Sequence, residues 1–211
     1  MPATASSVKS IRTATMDDVP AIARVLGRAF YGDPLFRWFF PGNETRMARS
    51  IRMCALTAGF DLVPDGEAHV FETDEDGRRV VRGAGLWKPP GDDVKENATM
   101  LRSLPHLASM LGVRHLPRVM RYIADLKGSV PEEPHWHLRA MGTDPAARGT
   151  GVGSSLLRAG LAQADTDGVP VYLYTTNPAN IGFYERFDFR VVRAVNDPDF
   201  PSTYCMLRPS V

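Results

Sequence analysis

The run Arg148-Gly149-Thr150-Gly151-Val152-Gly153 places glycine at every second position. It sits between a predicted strand, His135 to Thr143, and a predicted helix, Ser154 to Ala164. Glycine there removes the side chains that would hold a ligand away from the backbone. The loop amides, with the first free N–H groups of the helix, form a socket for an anionic group such as a phosphate. The helix dipole adds about 0.3–1 kcal/mol at an exposed site. On spacing alone the run reads equally well as a tight strand-to-helix turn. Two named phosphate loops are excluded. The P-loop ends in Gly-Lys-Ser/Thr, whereas this run ends in Val152-Gly153-Ser154. The dinucleotide fingerprint needs Gly-x-Gly-x-x-Gly and an acidic residue at a later strand end. Here the glycines alternate, and Asp165 and Asp167 fall where the helix ends.

The downstream segment narrows the choice. Val169 to Thr175 is a β-rich run of strand length. Asn177-Pro178-Ala179-Asn180 follows as a turn and helix start, and then Ile181-Gly182-Phe183-Tyr184-Glu185-Arg186-Phe187-Asp188-Phe189. This order of strand, Arg-Gly-x-Gly-x-Gly, helix, strand, asparagine and Phe-Tyr-Glu-Arg resembles the GNAT acetyltransferases. The resemblance covers residues 130 to 211 closely. It extends more loosely to Ile11–Val19, which looks like the family's first strand and helix start. Within the family the chain is most similar to puromycin N-acetyltransferase-like members. The shared features are Glu133-Pro134-x-Trp136-x-Leu138, Phe183-Tyr184-Glu185-Arg186 and the ending Tyr204-Cys205-Met206.

Composition agrees with one globular domain over residues 1–211, with a flexible tail over about 1–9 and a helical insert over 92–128 near the acceptor site. Apolar content of 44% is ordinary for a soluble protein. A net charge of +1, with Lys and Arg dispersed, gives no reason to expect nucleic acid. No apolar run approaches the roughly 20 residues that cross a membrane, and Met1 to Ser10 lacks an apolar signal region. Cys54 and Cys205 read as small buried hydrophobes of a cytoplasmic protein. A monomer or homodimer is expected, with no metal.

Helical spacing puts Val19, Ile22, Leu26 and Phe30 on one face. Asn43 is a predicted cap for a second helix, with Met47, Ile51, Cys54, Ala55 and Ala58 as its buried stripe. Ala68–Glu72 and Val80–Trp87 read as strands joined through Asp74-Glu75-Asp76-Gly77. Pro105 and Pro117 interrupt the insert. The last strands are predicted near Arg190–Val195 and Ser202–Leu207. The fold class is therefore α/β, a mixed sheet flanked by helices. The resemblance implies the acyl-CoA N-acyltransferase fold, with a strongly twisted sheet whose strands 135–143 and 169–175 splay apart.

The resemblance further implies an acetyl-CoA-dependent N-acetyltransferase acting on the primary amine of a small molecule by direct attack in a ternary complex. It implies a pyrophosphate socket at Arg148, Gly149, Thr150, Gly151, Val152, Gly153 and Ser154. It implies strand-like pairing of pantetheine with Met141, Gly142 and Thr143, and further cofactor contacts at Asn177, Asn180, Phe183 and Arg186. Tyr184 stands at the family's general-acid position. A phenol of pKa near 10 suits protonation of a departing alkyl thiolate. The alternative for Tyr184 is a core ring between Phe183 and Phe187. Puromycin-like members carry a glutamate where this chain has Tyr174, in Leu173-Tyr174-Thr175. A phenol is a poor base at neutral pH, so His137 is the candidate base, directly or through water. Its alternative is an ordinary sheet histidine. The aromatic stretch Phe30 to Phe40 suggests an acceptor wall, with Phe36, Trp38 and Tyr174 touching substrate and Asp33 holding its cation. Two other functions fit the same motifs: a protein or peptide N-acetyltransferase, and a non-catalytic acyl-CoA sensor.

Overall fold

The computed structural model describes residues 9–64, 67–91, 105–112 and 114–211. The expected tail, apart from Lys9, and the part of the insert over 92–104 lie outside the described residues. The strands are β1 (Lys9–Thr13), β2 (Ala68–Glu75), β3 (Arg78–Lys88), β4 (Trp136–Thr143), β5 (Val171–Thr175), β6 (Arg190–Asp197) and β7 (Phe200–Arg208). They form one seven-stranded sheet in the order β1-β2-β3-β4-β5-β7-β6. Only the β4–β5 pair is parallel among these strands. A parallel neighbour needs a crossover, and α6 (Val152–Asp167) supplies it. The β2–β3 turn is Asp76-Gly77, both at positive φ of 53° and 76°. That is the twist-matched two-residue hairpin expected for this pair of residues.

Helices cover both faces. On one face α1 (Val19–Ala29) and α3 (Asn43–Thr57) pack over β2 and β3 through Ile22, Leu26, Cys54, Val70, Ala84 and Leu86. Beside them α2 (Pro34–Phe39) and α5 (Leu116–Lys127) cover β5 and β7, with Trp38 and Tyr122 against Tyr172, Phe200 and Cys205. The helix over residues 105–111, α4, joins that layer through Met110 and Leu111. On the opposite face lie α6 and the short α7 (Ile181–Glu185), packed on Trp87, Trp136, Leu138, Leu173 and Met206.

Several boundaries differ from expectation for local reasons. The helix after the glycine loop starts at Val152, two residues earlier than predicted, because Gly151 adopts the left-handed conformation at its N-cap. Gly42, not Asn43, precedes α3, and Asn43 is its first helical residue. The α3 stripe centres on Arg46, Ser50, Cys54 and Ala58, an i, i+4 row, while Met47, Ile51 and Ala55 are half-buried beside it. Residues 34–39, read as an aromatic loop wall, form a helix capped by Asp33, whose side chain accepts the Leu35 N–H at 2.9 Å. Pro34 at its first position suits a helix start. Pro117 likewise opens a helix rather than breaking one. Both cysteines are buried and free.

Glycine sets how closely α6 approaches the sheet. A Cβ on Gly160 would lie 2.1 Å from the ring of Trp87, which is 1% exposed. Alanine normally gains about 1 kcal/mol over glycine inside a helix, but over-packing costs about 1–3 kcal/mol. Trp87 is enclosed and cannot yield, so the clash decides the sign. We expect Gly160→Ala to destabilise the fold by about 1–2 kcal/mol in urea unfolding. In contrast, Gly182→Ala, where no atom lies within 4 Å of the added carbon, leaves stability unchanged or raises it.

Candidate active site

The parallel ladder between β4 and β5 has rungs only at Trp136–Val171, His137–Tyr172 and Leu138–Leu173. Beyond Leu138 the strands part. Ala140 to Thr143 pair with β3 alone, and Tyr174 and Thr175 pair with β7 alone. A bulge sits at the fork. Leu86 opposes Ala140 and Trp87 opposes Leu138, so Arg139 is the extra residue. Bulges bend a strand and re-aim its side chains. Here Arg139 shares the cavity face with His137, and Ala140 on the same side packs on the α1 cluster. The expected splay is therefore present, with backbone edges of both strands turned into the gap. Such edges need hydrogen-bonding partners.

One mouth of the gap is the glycine loop. Asp144, 3% exposed, caps the preceding turn by accepting the Ala146 N–H at 2.9 Å and pairs with Arg28 at 3.1 Å. Thr150 Oγ1 donates to the Ala147 carbonyl at 2.8 Å. Gly149 and Gly151 lie at φ 78° and 88°, a region closed to most side chains. The N–H groups of Gly149, Gly151, Val152, Gly153 and Ser154 meet no acceptor among the described residues. This is a row of free donors on the positive end of a 16-residue helix. The residues present therefore fit a pyrophosphate. Arg148 is exposed and donates to the Ala29 carbonyl at 3.2 Å, which ties the loop to the end of α1. Gly153 faces Thr143 and Phe183.

The far wall comes from β5 and α7. Asn180 Nδ2 donates to Thr175 Oγ1 at 3.2 Å, while Asn177 caps the turn into α7 by accepting the Ala179 N–H at 3.1 Å. Thus Asn177 does the capping, and Asn180 braces the strand end. Phe183 stacks edge-on against Tyr184 at 5.2 Å, and the Arg186 guanidinium lies over the Phe183 ring at 5.5 Å. Tyr184 is 8% exposed and sits within the α6-side core beside Phe189. No group among the described residues hydrogen-bonds its hydroxyl. Burial, and then the charge of Asp33, push its pKa well above the ordinary 10. Asp33 accepts from Thr176 Oγ1 at 2.9 Å and is itself pushed up by burial. The α2 cap is thereby fixed to the end of β5.

On the opposite side of the fork lies a cavity of about 750 Å³. Its walls are α2, α3, α4 and α5, and its floor is His135, His137 and Arg139 of β4 and its lead-in with Tyr172 and Tyr174 of β5. His137 is 6% exposed and makes no hydrogen bond among the described residues, and its Nε2 is sealed. Its ring packs edge-on to Tyr172 at 5.0 Å and Tyr174 at 5.9 Å. Burial, followed by the charges of Arg139, His135 and Lys88, holds its pKa well below 6.5.

The acceptor-wall expectation needs correction at Phe36, Trp38 and Asp33. Phe36 stacks on Phe30 at 5.0 Å in the α1 core. Trp38 packs on Tyr122 at 5.6 Å and donates through Nε1 to the Asp199 carbonyl at 2.8 Å. Neither lines the cavity. Once 34–39 is a helix, Leu35 and Phe39, four residues apart, share the cavity side instead. Asp33 also lies outside the cavity lining, on Thr176. Met53, Leu56 and Phe60 were missed, and their spacing on one helical stretch was the available signal.

The profile of the acetyltransferase (GNAT) family matches residues 34–189. Among solved structures, a Corynebacterium glutamicum protein, histone acetyltransferase HPA2 and related acetyltransferase, is 28% identical with a TM-score of 0.71, covering 96% of this chain and 97% of that one. Arylalkylamine N-acetyltransferase 2 from Aedes aegypti is 11% identical with a TM-score of 0.65, covering 95% and 98%. The polyamine N-acetyltransferase of Drosophila melanogaster is 16% identical with a TM-score of 0.62, covering 95% and 99%. The chain belongs to the GNAT acetyltransferase family, and it is an acyltransferase. Enzymes of this family use acetyl-CoA. Among the described residues no cluster of His, Cys, Asp or Glu is placed to hold a metal ion, and no helix is long and apolar enough to cross a membrane.

The depressed His137 pKa has a consequence for stability. The folded state resists protonating this ring, whereas the unfolded chain protonates near 6.5. Its contribution is therefore present above pH 6.5 and is lost as pH falls through the window below it. We expect the stability difference between wild type and His137→Phe to shift against wild type below pH 6.5, with a slope of up to about 1.4 kcal/mol per pH unit. Urea unfolding at pH 5.0 to 8.0 measures it, and a pH-independent difference contradicts the assignment.

Proposed function

We propose that this enzyme transfers the acetyl group of acetyl-CoA to the primary amine of a small molecule, by direct attack in a ternary complex. The observation that carries the reading is the fork beyond Leu138–Leu173, with free donors of the glycine loop at one mouth and Tyr184 beside it. The amides of Gly149, Gly151, Val152, Gly153 and Ser154, with Arg148 and Thr150, hold the pyrophosphate. The free edge at Met141, Gly142 and Thr143 pairs with the pantetheine amides. Asn177, Asn180, Phe183 and Arg186 border the same channel. Bound acetyl-CoA supplies a thioester carbon for the amine to attack.

The chain's own groups manage protons and charge. Tyr184 keeps its proton at neutral pH because burial and Asp33 disfavour the phenolate. It delivers that proton from Oη to the departing sulfur, against a raised pKa that makes it a weaker donor than a free phenol. A backbone N–H of β4 at the fork serves the carbonyl oxygen as charge develops. His137 is neutral at pH 7, and with Nε2 sealed its Nδ1 is the nitrogen that accepts the amine proton, directly or through water, as a weaker base than a free imidazole. Asp33 offers a counter-charge to the incoming ammonium, and Tyr174, at the junction of fork and cavity, positions it. The puromycin-like resemblance makes puromycin one acceptor to try. The carboxylate that those members carry is replaced by Tyr174, so Asp33 takes over its charge role in this reading. The domain is read as one unit over 1–211.

The test is thiol release from acetyl-CoA across an amine panel that includes puromycin. We expect amine-dependent release, reduced about 10²–10⁴-fold in kcat by Tyr184→Phe, with acetyl-CoA affinity unchanged. Equal rates in both proteins remove Tyr184 as the acid. Acetyl-CoA binding without release for any amine removes the transferase reading and leaves a sensor.

A further inference from the structure

From the composition of the cavity beside the fork, we infer that the acceptor is a monoamine on a bulky apolar body, and that this body fills the chamber between α2, α3, α4 and α5. This rests on the transferase reading and specifies its second substrate. The chamber's size of about 750 Å³ is that of a pocket which buries a drug-sized ligand. Its walls are Leu35, Phe39, Met53, Leu56, Met110 and Ile123, drawn from four helices. The methionines give a wall that adapts to ligand shape.

Charge excludes the other obvious class of amine. Glu132 and Glu133 are the carboxylates among the described lining residues, and both are exposed at the margin. Lys88, Lys127 and Arg139 line the same cavity. A second or third ammonium carried into the apolar interior would lose its hydration and meet no buried anion among the described residues of the lining. Asp33 lies outside the chamber, at the end of β5, and provides for one cation only. The field that depresses His137, from Arg139, His135 and Lys88 together with burial, acts on a docked ammonium in the same sense. It favours the neutral, attacking form of one amine placed at the fork. Every added ammonium on the body suffers that field without benefit.

The floor gives the body its orientation. Arg139 and Tyr174 are the first residues past the last β4–β5 rung, and both line the chamber. The amine therefore enters the fork there, and the apolar body extends back toward Leu107, Met110 and Leu111. Residues of α4 set the length limit.

The experiment is calorimetric binding of 4-phenylbutylamine and spermidine to the full chain saturated with CoA, alongside thiol release with each. We expect 4-phenylbutylamine to bind at least tenfold more tightly than spermidine. We expect Met110→Trp, and independently Leu107→Trp at a half-buried site, to weaken it at least tenfold while acetyl-CoA affinity is retained. That retention reports that each variant is folded. Equal or tighter binding of spermidine overturns the inference, as does unchanged 4-phenylbutylamine affinity in both filled variants. Efficient acetylation of spermidine and 4-phenylbutylamine alike overturns it while leaving the transferase reading intact. Selective binding of 4-phenylbutylamine with no thiol release supports the chamber as an apolar-amine site and rejects catalysis.

Discussion

The site depends on one interruption in hydrogen bonding. After Leu138 meets Leu173, the parallel ladder stops. Continuing it would give a closed sheet with no interior opening and no free backbone edge. The extra residue at Arg139 enforces the break, because it bends β4 while β3 continues to hold the strand's other edge. Neither strand is left unsupported: β3 retains Ala140–Thr143 and β7 retains Tyr174–Thr175. The fork is thus stable without a ligand, and the cost is confined to unpaired groups on its inner edges. Those groups are what a ligand with amides of its own can satisfy.

The layers on either side keep the fork from collapsing. On one face α1 approaches so closely that a Cβ on Gly142 would lie 2.9 Å from Leu26 and Ala29. On the other, α6 presses on Trp87 through Gly160. Arg148 then joins the glycine loop to the end of α1 across the sheet edge, and Asp33 joins α2 to Thr176 at the end of β5. Each wall of the opening is therefore tied to a helix packed elsewhere in the core. Pre-organisation of this kind is inexpensive to maintain, since the ties also satisfy helix ends that need partners in any case.

The parts of this arrangement that were legible in sequence are those encoded locally. The glycine run, its flanking strand and helix, the Asp76-Gly77 hairpin and the Tyr184 segment each declare themselves within about ten residues of chain. The splay came with the family resemblance rather than from any periodicity, and the strand order came from the structure. The acceptor side was read less well. Phe36 and Trp38 were assigned to the wall because aromatic density was visible while the helix that orients them was not. Their neighbours Leu35 and Phe39 face the cavity only because 34–39 is helical and because Trp38 is drawn to Asp199, 161 residues away in sequence. The bulge at Arg139 left no mark either. It is defined by registration against Leu86 and Trp87, a relation between strands that no single segment contains.

Burial fixes the protonation states in a way that sequence cannot. Tyr184 is a phenol held protonated, with Asp33 adding to the effect of burial. His137 is an imidazole held neutral, with nearby basic groups adding to the effect of burial. At neutral pH the phenol therefore carries its proton and the imidazole carries none to spare, each a weaker acid or base than its free counterpart. They achieve this from opposite faces of the sheet, Tyr184 in the α6-side core and His137 on the cavity floor. A proton taken on one face and returned on the other requires the reacting atoms to lie between them. The fork is the opening in the sheet that lets the two faces meet. Closing it by restoring β4–β5 rungs would leave both residues with their protonation states intact and with no shared substrate to act on.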